Sequence, residues 1–288
     1  MRSRIILGII VAAVVAELAV WGLGQMVVRP IADHRAVTRP VTLHTATGQF
    51  HLGRGWHLKL SASFTGAHLN TALWATCYPW MDVPTGCTNF SNLRSGVEHE
   101  WYLPSQVRVR NGELQLVAQR IPVVGQNFNG RPRDFSCRSG MVTTYPGFRF
   151  KYGYLNIVAH IPSNVGLWPA LWLAAANRHW PPEIDLLEHW GAGVQRTWLF
   201  FHPLGGARQG HHLDMPNLFV GWHSFGLNWT PSKLSWYVDG RLVFSTRRHI
   251  PHQKMYLIAN LAESQMARPG WGCNGTMSIR SVRVWQQK

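Results

Sequence analysis

Glu183-Ile184-Asp185-Leu186-Leu187-Glu188 is the stretch on which the reading of this chain turns, bounded by Trp180-Pro181-Pro182 and Trp190-Gly191. Only 13 of 288 residues are acidic, so three carboxylates in six positions form a concentration that calls for a chemical reason. On a regular strand residues i and i+2 share a face. Glu183 and Asp185 then point one way and Glu188 the other. One bulge residue between Asp185 and Glu188 would bring all three onto one face. Carboxylates crowded there repel one another and separate their proton affinities, which suits acid, base and nucleophile roles. The plainer alternative is an ordinary strand with a solvated polar face. Against it stands Gly166-Leu167-Trp168-Pro169-Ala170-Leu171-Trp172-Leu173, a second apolar and aromatic strand that predicts a lined cleft beside the acids.

Working outward, period-2 alternation recurs along the chain. Val107, Val109, Leu114, Leu116 and Ala118 alternate with polar residues, as do Leu155, Ile157, Ala159 and Ile161, then Leu234, Trp236 and Val238, then Ile279, Val282 and Val284. With Asn111-Gly112 and Asp239-Gly240 as hairpin signals, this reads as antiparallel β-structure. No long segment after residue 30 has helical periodicity, and there is no internal repeat. So many strands in about 240 residues imply two packed sheets.

The first 28 residues read differently. Arg2 and Arg4 precede an apolar run, and Ile5 to Val28 holds a single charge, Glu17. The run fits a cleaved export signal or an uncleaved anchor long enough to span a bilayer. Either way the N-terminus stays cytoplasmic and the remainder of the chain is exported, as a secreted, periplasmic or membrane-anchored domain. Residues 29–45 are polar, contain Pro30 and Pro40, and read as a linker. The expected catalytic domain is 46–288. Four cysteines in an exported chain predict two disulfides: Cys77 with Cys87 around a short Pro/Gly loop, and Cys137 with Cys273. No clustered Cys/His spacing suggests a metal. Lys and Arg number 28, leaving a surplus of +14 beyond residue 28 (26 − 12). The basic residues are scattered, so nucleic acid is not an expected partner, and no nucleic-acid-binding signature is present.

The acid stretch and its flanks resemble glycoside hydrolase family 16. The resemblance rests on Ser139-Gly140-Met141, Phe150 to Tyr154, Gly166 to Leu173, and Trp180 to Glu188, the last similar to the family's E-x-D-x-x-E signature in its bulged form. It extends through Glu98 to Tyr102, Leu227 to Pro231, Trp236 to Gly240 and Met255 to Ala262. The resemblance implies an all-β, concanavalin-like jelly roll of two antiparallel sheets with a concave substrate cleft. It implies a retaining endo-β-glucanase acting on β-1,3 or mixed β-1,3/1,4-glucan or a related bacterial exopolysaccharide. Glu183 would be the nucleophile, Glu188 the general acid/base, and Asp185 the residue that holds and tunes Glu183. Trp168, Trp180, His202 and Asn260 would line the cleft. A transglycosylase on the same fold, or a non-catalytic carbohydrate-binding or cell-envelope protein, are the alternatives. The expected state is a monomer.

Two departures from the family pattern matter. After the strand ending Asn260-Leu261-Ala262, Arg268 replaces an aromatic; it reads either as a solvated loop residue or as a substrate contact giving tolerance for acidic substituents on the glucan, because a guanidinium pairs well with carboxylates. Arg280 stands where the family often places a calcium-binding Asp, so no metal or other cofactor is expected.

Overall fold

The computed structural model describes residues 55–79, 88–89, 99–127, 130–191, 196–264 and 272–287. All fall within one unit, Val41–Lys288. The expected signal or anchor (1–28) and linker (29–45) lie outside the described residues, as do Cys87, Glu98 and Arg268. No helix among the described residues is long and apolar enough to cross a membrane.

The alternating segments form the strands they predict. In chain order these are β1 (Trp56–Ser63), β2 (Glu100–Tyr102), β3 (Val107–Arg110), β4 (Glu113–Gln119), β5 (Val123–Gln126) and β6 (Pro132–Phe135). Next come β7 (Cys137–Ser139), β8 (Met141–Thr143), β9 (Gly153–His160), β10 (Leu167–Ala175), β11 (Glu183–Glu188) and β12 (Arg196–His202). The last are β13 (Gln209–Asp214), β14 (His223–Thr230), β15 (Lys233–Val238), β16 (Arg241–Thr246), β17 (Met255–Glu263) and β18 (Asn274–Gln287). The larger sheet runs β16-β15-β14-β9-β18-β4-β7-β2, with β1 along β18 and β3 along β4, and the smaller runs β13-β12-β11-β10-β17-β8. The jelly-roll sandwich is as expected, with one amendment to its antiparallel pairing. β2 runs parallel to β7, pairing Glu100 with Cys137, and β5 with β6 make a separate ribbon.

Both hairpin signals act as read. Asn111 and Gly112 (φ 55° and 75°) join β3 to β4, and Asp239 and Gly240 (φ 48° and 77°) join β15 to β16. Positive φ at both turn positions matches the twist of the strands they connect. On β18 the apolar phase changes between Ile279 and Val282 because Arg280 is an extra residue: Ile279 pairs with Ala159 and Ser281 with Val158.

The core lies between the sheets. Leu171, Leu173, Ile184, Leu186, Leu187, Leu199, Phe201, Leu257 and Leu261 of the smaller sheet meet Leu155, Ile157, Leu227, Trp229, Trp236 and Val284 of the larger. The outer face of the smaller sheet is partly covered as well. Tyr78 and Tyr102 pack with Met141, Ala170, Trp172, Tyr256 and Ile258 in a second apolar cluster. That cover walls one side of β10 and leaves β11 and β12 to carry the site. Cys137 and Cys273 are bonded across 136 positions as expected, tying β7 to the start of β18. Cys77 is also disulfide-bonded.

Candidate active site

The acid strand contains the bulge that its sequence requires. β11 pairs with β10 so that Trp172 faces Asp185 and Leu171 faces Leu187, which leaves Leu186 as the extra residue. Across β12 the same excess appears: four steps from Ile184 to Glu188 oppose three from Phe201 to Trp198. Leu186 and Leu187 therefore both enter the core, and Glu183, Asp185 and Glu188 share the outer face. A bulge disrupts the ladder locally. At this one the backbone carbonyl of Asp185 accepts a hydrogen bond from the Trp236 indole of the opposite sheet at 2.8 Å.

Each flanking carboxyl has an indole donor. Trp180 Nε1 donates to Glu183 Oε2 at 3.1 Å, and Trp168 Nε1 donates to Glu188 Oε1 at 3.1 Å. Trp180 is 60 % exposed yet tethered through its N–H, and its ring lies 5.6 Å from that of His202. His202 pairs in register with Glu183. Its Nε2 lies 3.5 Å from Glu183 Oε1 and 3.8 Å from Asp185 Oδ2, the second too long for a hydrogen bond. Asp185 is almost fully buried, and its Oδ2 has no hydrogen-bond partner among the described residues.

Desolvation governs the electrostatics. It pushes Glu183 up to about 8, with further repulsion from Glu188 and a smaller opposing effect of the Trp180 N–H. Glu188 rises to about 7, also by desolvation, opposed by the indoles of Trp168 and Trp190 and by the charge of Arg208. Asp185 is raised well above the usual carboxylate range by burial and by its two acidic neighbours. His202 is pushed down to about 4 by burial and by Arg208, so at neutral pH it is an uncharged imidazole beside the acids. The cluster thus retains protons near neutrality, as a site needing one acid and one carboxylate requires.

Of the sequence-predicted residues, Glu183, Asp185, Glu188, Trp168, Trp180 and His202 come together. Asn260 lies behind them as a link in a buried relay. Trp172 Nε1 donates to Asn260 Oδ1 (2.8 Å), Asn260 Nδ2 to the Tyr102 hydroxyl (3.1 Å), and that hydroxyl to Glu100 Oε1 (3.0 Å). Glu100 also accepts the Glu263 N–H at 3.2 Å. Four residues of the site carried no signal strong enough to be named from sequence. Trp236 and Tyr102 read as alternating core aromatics. Trp190 stood only as a flank of the acid stretch. Arg208 sits in a Gly-containing loop; its guanidinium lies 4.4 Å over the Phe200 ring, and its charge reaches Glu188, Asp185 and His202. Glu183, Asp185 and His202 each offer a ligand atom within 4.8 Å of the others, the one such grouping among the described residues. Arg280 places its guanidinium 3.8 Å over the Trp222 ring and 3.9 Å from Glu113 Oε1.

Comparison with known proteins agrees with this geometry. The description Glycosyl hydrolases family 16 matches residues 97–274. The endo-1,3-1,4-beta-glycanase ExsH of Rhizobium meliloti is 30 % identical over 216 residues, covering 68 % of this chain and 44 % of that protein. The endo-1,3-1,4-beta-glycanase EglC of the same organism is 28 % identical over 248 residues, covering 81 % and 49 %. The chain therefore spans about half the length of these curated relatives. Among solved structures, the catalytic domain of an endo-1,3-beta-glucanase (laminarinase) from Thermotoga petrophila RKU-1 superposes with a TM-score of 0.68 at 26 % identity, covering 81 % of this chain and 98 % of that one.

Proposed function

The chain belongs to glycosyl hydrolase family 16, and from that premise we propose that it is a retaining, endo-acting glycosidase cleaving β-1,3 or mixed β-1,3/1,4-glucan, or a related exopolysaccharide. One observation carries the reading. The extra residue Leu186 turns three carboxyls to one face, where two of them are held by separate indole donors. A surface strand has no use for that arrangement, whereas retaining hydrolysis needs two carboxyls about 5–5.5 Å apart.

In this scheme Glu188 protonates the glycosidic oxygen while a Glu183 oxygen bonds the anomeric carbon and the glycosidic C–O bond breaks. Water then attacks that carbon, Glu188 takes the water's proton, and the ester bond to Glu183 breaks. Asp185 holds its proton and faces the same side as Glu183, so it supports the nucleophile without adding a second charge. His202, uncharged, orients Glu183. The exposed ring of Trp180 offers a flat apolar surface of the kind that sugars stack on. Replacing Glu183 by Gln keeps shape but removes the nucleophile. Release of reducing ends from laminarin and lichenan should fall at least about a thousandfold with folding intact, and full activity in that variant would refute the assignment.

A non-catalytic binder would retain glucan affinity with no cleavage in the wild type. Product analysis separates hydrolysis from transglycosylation, which uses the same ester. We place the domain outside the cytoplasm, cleaved or anchored, on the sequence of residues 1–28, and as a monomer; cell fractionation and light scattering test these. We also propose that no metal is needed, the Arg280 guanidinium holding its corner through Trp222 and Glu113. EDTA should leave both the melting temperature and the activity unchanged, and a loss of either on chelation would contradict this.

A further inference from the structure

Three ligand-type atoms converge at the Glu183 end of β11. Glu183 and Asp185 are i and i+2 on one face, and His202 is the cross-strand partner of Glu183. His202 Nε2 lies 3.5 Å from Glu183 Oε1 and 3.8 Å from Asp185 Oδ2, and all three atoms lie within 4.8 Å of one another. Both His202 separations exceed the usual N–H···O range. They match another geometry better: ligands about 2.0–2.2 Å from a Zn²⁺ ion stand roughly 3.3–3.6 Å apart in a tetrahedron. The supports are in place as well. Trp180 Nε1 holds Glu183 Oε2 at 3.1 Å, which leaves Oε1 turned to His202. The His202 ring is flanked by Trp180 (5.6 Å) and Phe200 (6.2 Å). Asp185 forms the floor. Its side chain is 2 % exposed, and Oδ2 has no hydrogen-bond partner among the described residues. A buried carboxyl oxygen without a donor is costly, and this one is aimed at an imidazole and a second carboxyl. Glu183 (18 % exposed) and His202 (22 %) leave the other side open to the cleft, an entry path for a cation. Other histidine–carboxylate contacts lack this form. His223 has both ring nitrogens engaged, Nδ1 by Asp239 Oδ2 at 2.6 Å and Nε2 by the Asn217 and Val220 carbonyls. His212 lies 3.6 Å from Asp214 Oδ2, but Asp214 is already gripped by Arg196 at 2.8 Å and is 60 % exposed.

We propose that Glu183, Asp185 and His202 form a three-ligand site for a borderline transition-metal cation of the Zn²⁺ type, and that filling it switches the enzyme off. One imidazole nitrogen and two carboxylate oxygens with an open fourth position suit Zn²⁺. Ca²⁺ and Mg²⁺ take more ligands, nearly all oxygen, and are poorly served by this set. The orphaned Asp185 oxygen gains a partner when the cation binds. Glu183 Oε1 gives the cation a lone pair, and a carboxylate tied up in this way no longer attacks an anomeric carbon. The ion is an inhibitor and not a cofactor, so the metal-free form is the active one. The binding stands on geometry alone; the inhibition rests on the reading of Glu183 as the nucleophile.

The test titrates the metal-free full chain with Zn²⁺ by calorimetry and with Co²⁺ by visible absorption, whose intensity reports a low-coordinate site. Zn²⁺ should bind and should displace Co²⁺. His202→Phe keeps a ring and deletes the nitrogen, and Asp185→Asn removes the buried charge. Each should weaken Zn²⁺ binding by at least about tenfold, since losing even an outer partner of a ligand costs that much. His212→Ala should bind as the wild type does. Zn²⁺ should stop the release of reducing ends from laminarin, EDTA should restore it, and Ca²⁺ or Mg²⁺ should leave the rate unchanged. No Zn²⁺ binding, or binding weakened by His212→Ala but not by His202→Phe, overturns the proposal. If melting curves show that one of the two ligand variants does not fold, the other is read against the same outcomes. The two levels fail separately. Zn²⁺ bound with this variant pattern by a protein that cleaves no glucan sinks the catalytic assignment and leaves the metal site standing. A working glucanase indifferent to Zn²⁺ overturns this proposal alone.

Discussion

At the scale of single residues, the cost of the site is the burial of its acids. Glu183 is raised to about 8 in the folded protein from an ordinary 4.5. Its folded pKa lies above its unfolded one, so the folded state binds the extra proton, and stability is lost as pH rises between those values. Glu183→Gln should therefore raise stability over the wild type at pH 8, by about 1–3 kcal/mol, with little difference at pH 4. Denaturant melts at the two pH values measure this; equal stability of the two proteins at pH 8 would contradict the buried-acid account. Catalysis should show the same pair of groups. With Glu188 near 7 and Glu183 near 8, the state with one proton shared between them is most populated between those values. The kcat/KM profile should be a bell with its maximum at about pH 7–8. Below it both carboxyls are protonated, and above it both are ionised. The carboxyls were legible in the sequence because acids are so rare in this chain. Arg208 was not: a lone arginine in a loop resembles any other, and only the fold places its charge beside Glu188.

At the scale of the element, the single extra residue in β11 decides which way Glu188 points. Deleting Leu186 leaves two residues between strand-face neighbours reduced to one, so Glu183, Asp185 and Glu188 still share a face in a regular strand. Adding a further alanine after Leu187 instead either turns Glu188 into the core, if the bulge is kept, where an unpaired carboxyl costs several kcal/mol, or flattens the strand and turns Leu187 out of the core at a cost of about 2–4 kcal/mol. The deletion should fold with a loss of about 2–4 kcal/mol for the missing leucine and keep glucan binding; the insertion should lose both fold and activity. If the insertion is tolerated and the deletion is not, the bulge has been misassigned. The bulge was readable because Glu183 and Glu188 have the wrong spacing for a flat strand. Its support from the opposite sheet was not, since Trp236 looks like any alternating core aromatic until its N–H is seen on the Asp185 carbonyl. Trp236→Phe should destabilise by about 1–3 kcal/mol by orphaning that carbonyl.

At the scale of the whole molecule, alternation, hairpin glycines and cysteine parity were enough to anticipate a two-sheet sandwich and the Cys137–Cys273 link. The parallel pairing of β2 with β7 was hidden, because side-chain alternation is blind to strand direction. So was the covering of the outer face by Tyr78 and Tyr102, which depends on contacts between segments far apart in the chain. Closing a loop across 136 positions restricts the unfolded chain, so the paired change Cys137→Ser with Cys273→Ser should cost about 3–5 kcal/mol, read from denaturant midpoints under non-reducing conditions. What the molecule does with this scaffold comes down to a covalent bond. Incubation with a 2-deoxy-2-fluoro oligoglucoside bearing a good leaving group should halt the second step and leave a sugar ester on the enzyme. Peptide mass spectrometry should find that sugar on Glu183. A label on Glu188 or Asp185, or continued glucan cleavage with no labelled peptide, would contradict the account.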